Sequence, residues 1–561
     1  MINPDTAFIK KIENRLKFIY KDNYAKTILA DLLHVISSYQ IASKKGPKWN
    51  ENDVVLITYG DSVKKEDEAP LETLHAFLNA NLKEQLTVVH ILPFFPYSSD
   101  DGFSVIDFRE VNPDLGDWYD IKELTEDYDL MADLVINHAS SKSQWFKNFL
   151  KQHGKGKDYF ITEEPETDLS QVTRPRNTPL LTPYETANGT KHVWTTFSAD
   201  QVDLNFSNPD LLIEMMDILL GYIDKGARII RLDAIAFLWK VIGTTCLHLP
   251  ETHEVVKLMR DVAEFINPNT IILTETNVPN KENLSYFGND DEAHMVYQFS
   301  LPPLLLHALH TANSSYLTSW AKSLPHLDGN KTFFNFTASH DGIGVRPLEG
   351  LLPDDEKITL VENMKGFGGM VNYKSNPDGS QSPYELNITY FDALKGTLKG
   401  EDQFQVERFL ASQICMMSLA GVPAFYIHSL TATPNYYEGV KKTQHNRTIN
   451  RRKWELNELQ EVLVDDTPQK KVFESLQQLI KLRKKQTAFH PNAQQEILDF
   501  GNDFFAIKRK SQNQTILVII NLCDEEKEIE IPEEFSFDLI LDSEFTLNKL
   551  KAYQCLWLAK K

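Results

Sequence analysis

The chain has few cysteines and no long apolar run. Cys246, Cys415, Cys523 and Cys555 are its four cysteines in 561 residues, and their spacing fits neither a disulfide framework nor a paired metal site. The expectation is buried free thiols in a reducing compartment, the cytoplasm, with no metal and no cofactor. Every apolar stretch falls short of the length that spans a bilayer, and the N-terminal residues lack the apolar core of a secretory signal. No membrane contact is expected. Positive charge is also in deficit. Lys and Arg number 58 against 79 Asp and Glu, a formal net charge of −21, which argues against a nucleic-acid surface. An acidic protein that handles an anion must meet it with local arginines, so arginines near a site matter more than the total. Repeats and low-complexity tails are missing too. What remains is an ordinary globular balance, 42% hydrophobic and 24% charged, with small-molecule substrates as expected partners and a homodimer left open.

What is present is an alternation. Apolar runs at 53–59, 87–93, 133–138, 227–233, 271–275, 333–336 and 423–427 read as buried strands, and helical patterns separate them. That alternation predicts an α/β fold, a (β/α)8 TIM barrel with two inserted loop domains and a C-terminal antiparallel β domain. Residues 1–50 carry apolar positions at helical spacing and read as an N-terminal helical extension. The barrel is placed at 51–487, with one insertion at about 139–205 and a second at about 342–405. The second contains the glycine-rich turns 366–369 and 376–379. Residues 488–561 alternate as short strands and are placed in the β domain.

Four of these strands end in acids or histidines. They are Asp133-Leu-Val-Ile-Asn137-His138, Arg231-Leu-Asp233, Glu275-Thr-Asn277 and the stretch leading to Ser339-His340-Asp341. A lone Arg-x-Asp reads as a structural ion pair, and a lone histidine as a satisfied core residue. Four such endings on one barrel read differently, because barrel active sites are built from strand carboxyl ends. Cleaving a glycosidic bond with retention needs two carboxyl groups about 5–5.5 Å apart, one nucleophile and one acid/base. Asp233 is the expected nucleophile, kept ionised by Arg231 on the same side of its strand. Glu275 is the expected acid/base, with its pKa raised by an apolar strand end. Asp341 would stabilise the cationic transition state, and His138 and His340 would bond sugar hydroxyls.

Those motifs, with Gly421-Val-Pro-Ala-Phe-Tyr426 and Gln201-Val-Asp-Leu-Asn205, resemble the conserved regions of the α-amylase superfamily, in order. The resemblance implies the same three roles for Asp233, Glu275 and Asp341. Finer motifs resemble its sucrose phosphorylase subfamily: His90-Ile-Leu-Pro-Phe-Phe95, Asp100-Asp-Gly-Phe103 and Leu386-Asn-Ile-Thr-Tyr390. It implies that Asp100, His138, His340 and Arg447 hold the glucosyl hydroxyls, that Phe103 is their apolar platform and Phe197 a neighbour, and that Gln201 joins the substrate-binding set. Transfer to phosphate then needs cationic or donor groups, and Arg174, Arg176 and Tyr390, all on the insertions, are candidates. Two positions depart from the subfamily: Asn277 stands where a histidine is usual, and Phe237 where a tyrosine is. Both belong to the leaving-group side. With the helical extension and the long loop 433–452, the chain resembles the longer branch, the glucosylglycerate phosphorylases. The implied reaction is phosphorolysis of 2-O-α-glucosylglycerate. Sucrose, sucrose 6′-phosphate or glucosylglycerol phosphorolysis, an intracellular α-glucosidase and an inactive sugar-binding barrel are the alternatives.

Overall fold

The computed structural model describes residues 4–41, 46–375, 380–545 and 548–560. The predicted turn at 376–379 lies outside the described residues. Eight parallel strands close into a barrel: β1 (Val55–Thr58), β2 (Val88–Ile91), β3 (Asp129–Val135), β4 (Ala227–Asp233), β5 (Ile271–Thr274), β6 (Met295–Tyr297), β7 (Thr332–Phe336) and β8 (Val422–Tyr426). Neighbours in space are neighbours in sequence, and β8 pairs with β1 through Val55 and Ala424. The strands are short, continuous runs of buried residues, as expected where side chains fill the barrel on one face and meet helices on the other.

One strand is not announced by the sequence. β6 has three residues, Met295-Val-Tyr297, after the acidic stretch Asp290-Asp291-Glu292 and two further residues. Three apolar residues are too few for a periodicity to show; only the pairings to β5 and β7 make them a strand. His138 also sits differently from expectation. β3 ends at Val135, and His138 opens a separate strand, His138–Ser140, antiparallel to Gln201–Asp203.

Helix α1 (Thr6–Tyr20) starts at Asp5, whose side chain accepts from the Phe8 N–H, and α2 (Lys26–Ser37) follows it. Ile12, Leu16, Ile28 and Leu32 are buried. Phe8 stacks on Phe265 at 4.0 Å, and Arg15 bonds Glu254 at 2.9 Å and Asp261 at 3.1 Å, so α1 is fastened to the barrel helix Pro250–Ile266. Between β7 and β8, the strands Met370–Ser375 and Gln381–Asn387 form a sheet with Ile343–Gly344.

After the last barrel helix, a six-stranded antiparallel sheet runs from Gln494 to Lys560. It is docked on the carboxyl end of the helix Gln405–Ser418. Arg509 donates to the Ser418 carbonyl at 2.7 Å and the Trp557 indole to the Ser418 hydroxyl at 2.9 Å, while Arg483, on the preceding helix Pro468–Lys484, donates to the Met417 carbonyl at 2.8 Å. Last-turn carbonyls have no partner within a helix, and cations suit that end of the helix dipole. Among the described residues, no helix is long and apolar enough to cross a membrane.

Candidate active site

A cavity opens at the carboxyl ends of the barrel strands. Asp233 is the last residue of β4, Glu275 follows β5, and Asp341 lies past β7; all three line this cavity. So do Asp100, Phe103, His138, Arg176, Phe197, Gln201, Phe237, Asn277, His340 and Arg447, brought in from the loops after β2, β3, β4, β5, β7 and β8 and from the first insertion.

Beneath the cavity a chain of charges is anchored in the barrel. His90 on β2 bonds Asp133 on β3 at 2.7 Å; Asp133 also takes the Arg231 guanidinium, which reaches Asp233 at 2.7 Å. The register puts Asp133 beside Arg231 and Val135 beside Asp233, so this line is written into strand pairing. Burial raises the Asp133 carboxyl, but Arg231 and His90 outweigh it and hold it down at about 2. Asp233, expected to be kept ionised by Arg231, is subject to opposing influences. Burial pushes Asp233 well up, Arg231 pulls against it, and Glu275, Asp133 and Asp341 add to the rise. One guanidinium shared between two aspartates cannot offset burial beside three other acids.

Glu275 is raised as well, first by burial, against the pull of Arg231. It accepts the Ala234 N–H at 3.1 Å, and Ala234 has φ 53°, a left-handed conformation unusual for alanine. Asp341 goes the other way: burial raises it, but Arg447 at 2.7 Å, Arg231, Arg451 and Arg176 bring it below its ordinary value. Asp233 and Glu275 are thus both raised by burial, while Asp341 is held down by its arginines.

The walls are equally ordered. Phe103 stacks on His340 at 4.6 Å with planes 6° apart, and its carbonyl lies 2.8 Å from His138 Nε2 and accepts from Gln201 at 3.2 Å. Burial lowers the pKa of both histidines, which leaves neutral imidazoles facing the cavity. Phe197 packs edge-on against Phe237 at 5.5 Å.

Three predicted residues lie elsewhere. Arg231 is buried under the floor and acts through Asp233. Arg174 turns back to the Thr178 carbonyl in its own loop. Tyr390 is buried, its hydroxyl donating to the Pro302 carbonyl at 3.0 Å. The four-residue helix Tyr390–Ala393 turns Tyr390 into the barrel wall, so its place on an insertion does not bring it to the cavity. Conversely, Tyr384 and Arg346 line the cavity without having been predicted. Glu385 was missed as well: fully buried, it takes Arg447 in a two-pronged contact at 3.0 and 2.6 Å. No local pattern marks these three, because their partners come from distant segments. Among the described residues, no group of three or more His, Cys, Asp or Glu is arranged to hold a metal.

Comparison with known proteins agrees with this geometry. Residues 82–341 match the family described as alpha amylase, catalytic domain. A glucosylglycerate phosphorylase of Escherichia coli (strain K12) is 44% identical over 557 residues, covering 98% of this chain and 100% of the relative. The chain belongs to the glucosylglycerate phosphorylase branch of the α-amylase family. A second member of that branch, from Spirochaeta thermophila, is 50% identical over 486 residues, 86% of this chain and 82% of the relative. Among solved structures, sucrose 6F-phosphate phosphorylase from Thermoanaerobacter thermosaccharolyticum superposes with a TM-score of 0.75 at 27% identity, covering 90% of this chain and 98% of that one.

Proposed function

We propose that this protein is a retaining phosphorylase that cleaves 2-O-α-glucosylglycerate with inorganic phosphate, giving α-glucose 1-phosphate and glycerate. One observation carries the reading. A single cavity joins one buried and two half-buried carboxyl groups to two guanidinium groups, Arg176 and Arg346, that have no close carboxylate partner among the described residues. Arg176 lies over the rings of Phe197 and Tyr384, at 5.8 and 5.4 Å, and the one acid near Arg346 is Glu282 at 3.8 Å. A hydrolase acting on neutral sugars has no use for unpaired cations there; a reaction that releases a carboxylate and admits a phosphate does.

The steps follow from the charge states. The Asp233 carboxylate attacks the anomeric carbon while protonated Glu275 gives its proton to the leaving glycerate oxygen. The result is a glucosyl ester of Asp233. Hydrogen phosphate then attacks the same carbon from the other face, Glu275 takes its proton back, and the Asp233 carboxylate is freed. Two inversions give retention. Both acids are raised, and the shared proton belongs on Glu275, since Asp233 has the Arg231 contact and Glu275 has no cation at hydrogen-bond distance. Asp341, held ionised by Arg447, offsets the positive charge on the sugar in the transition state. Neutral His138 and His340, with Asp100 and Arg447, bind the glucosyl hydroxyls. Phe103 is the apolar platform. A cytoplasmic setting belongs to the same proposal and is supported by four buried, unpaired cysteines.

The test is release of glucose 1-phosphate from 2-O-α-glucosylglycerate, sucrose and 2-O-α-glucosylglycerol in parallel, with and without phosphate. Phosphate-dependent release from glucosylglycerate above the other two is the expected result. Free glucose released at the same rate without phosphate would overturn the phosphorylase reading.

A further inference from the structure

The cavity contains more arginines than the glucosyl unit needs, and they are not equivalent. Arg231 and Arg447 are each engaged by two carboxylates: Asp133 and Asp233, and Asp341 and Glu385. Arg176 borders both the inner cavity and an outer hollow that contains Asn177, Thr178, Tyr373 and His445. Arg346 lines only the inner cavity, on the wall formed by Thr276, Asn277 and Val278 just past Glu275.

That wall has two unmet demands. The side chain of Arg346 is 16% exposed, and its single ion-pair contact among the described residues is a loose 3.8 Å approach to Glu282. Glu282 is occupied by His248 at 3.1 Å. A guanidinium with five donors and no closer partner is suited to a planar, two-oxygen acceptor. Beside it, Asn277 Oδ1 is buried without a hydrogen-bond partner. That side chain lies over Gly344, where an added Cβ would come within 2.7 Å of Oδ1. The same short segment, Ile343-Gly344-Val345-Arg346, thus sets both groups.

We propose that Arg346 is the carboxylate anchor of the acceptor site, binding the glycerate carboxylate in a two-pronged contact beside the Asn277 side chain. The inference rests on the glucosylglycerate reading above. It makes Arg346 a specificity residue: it separates a hydroxy acid from a neutral polyol of the same size. The position beside Glu275 is the right one, because the acid/base must touch the oxygen that joins glucose to the acceptor.

The experiment runs the reaction in reverse, from α-glucose 1-phosphate to D-glycerate or glycerol, in the parent enzyme and in Arg346→Gln and Arg346→Lys. The readout is the ratio of kcat/KM for glycerate to that for glycerol. In Arg346→Gln the ratio should fall about 100-fold, mostly through a higher KM for glycerate, as loss of a charge-assisted pair implies. Arg346→Lys should lie between, since it keeps the charge and loses the fork. An unchanged ratio in both variants, whether activity persists or falls equally for the two acceptors, overturns the inference. A parent enzyme that prefers glycerol or fructose to glycerate would instead overturn the functional reading on which it rests.

Discussion

Asp233, Glu275 and Asp341 sit within one buried cluster, yet each is held differently. Asp233→Asn should lower kcat/KM for phosphorolysis by at least about 10⁴-fold with the fold intact, since no other carboxylate can form the ester. Glu275→Gln should cost about 10³-fold with glucosylglycerate but little with α-glucosyl fluoride, a leaving group that needs no proton. The alkaline limb of the kcat/KM profile should vanish in the same variant, because the raised Glu275 carboxyl is what loses its proton there. Stability has the opposite sign. An acid with a pKa raised by folding destabilises the native state above that pKa, and the cost disappears below the unfolded value of about 4.3. Glu275→Gln should therefore melt higher than the parent at neutral pH, with the two curves converging as pH falls below about 4. The three acids were legible in the sequence because each follows a short apolar strand. Arg346 and Glu385 were not, because the fold of the second insertion, rather than a local pattern, brings them to the cavity and to Arg447.

At the scale of elements, the segment from Ile343 to Asn387 does the most with the least sequence signal. It supplies Tyr384, Glu385 and Arg346, and its strand Gln381–Asn387 pairs with both Ile343–Gly344 and Met370–Ser375. Glu385→Gln should weaken the hold on Arg447, which is left with Asp341 as its one close carboxylate. The expected cost is about 3 kcal/mol of unfolding free energy, with kcat/KM lowered further than stability explains; thermal melts and kinetics on one preparation check this. Seven of the eight barrel strands could be read from apolar runs and their spacing. The exception, Met295–Tyr297, is too short to show any period, and tertiary pairing alone defines it. Tyr390 fails for a related reason: an insertion can be located from its length, but the direction of one ring in a four-residue helix depends on what lies below it.

The whole molecule is a barrel with structure added at both termini, and the additions differ from the cavity in what they do. No residue of α1 or α2 lines the cavity, yet Leu16 is fully buried and Arg15 ties α1 to Glu254 and Asp261. Leu16→Ala should cost about 2–5 kcal/mol in a denaturant titration and leave kcat/KM for phosphorolysis within twofold of the parent. A net charge of −21 places the burden of binding two anionic ligands on local groups. Arg176 and Arg346, which line the cavity, are the groups proposed to meet it.

The central claim is that the glucosyl group waits on Asp233 between departure of one anion and arrival of another. Isotope exchange tests it most directly: α-glucose 1-phosphate is incubated with radiolabelled phosphate, without glycerate, and label entering the sugar phosphate is measured. The account predicts exchange in the parent enzyme and none in Asp233→Asn. Phosphorolysis of glucosylglycerate without any such exchange would mean that phosphate displaces glycerate in one step, and would contradict it.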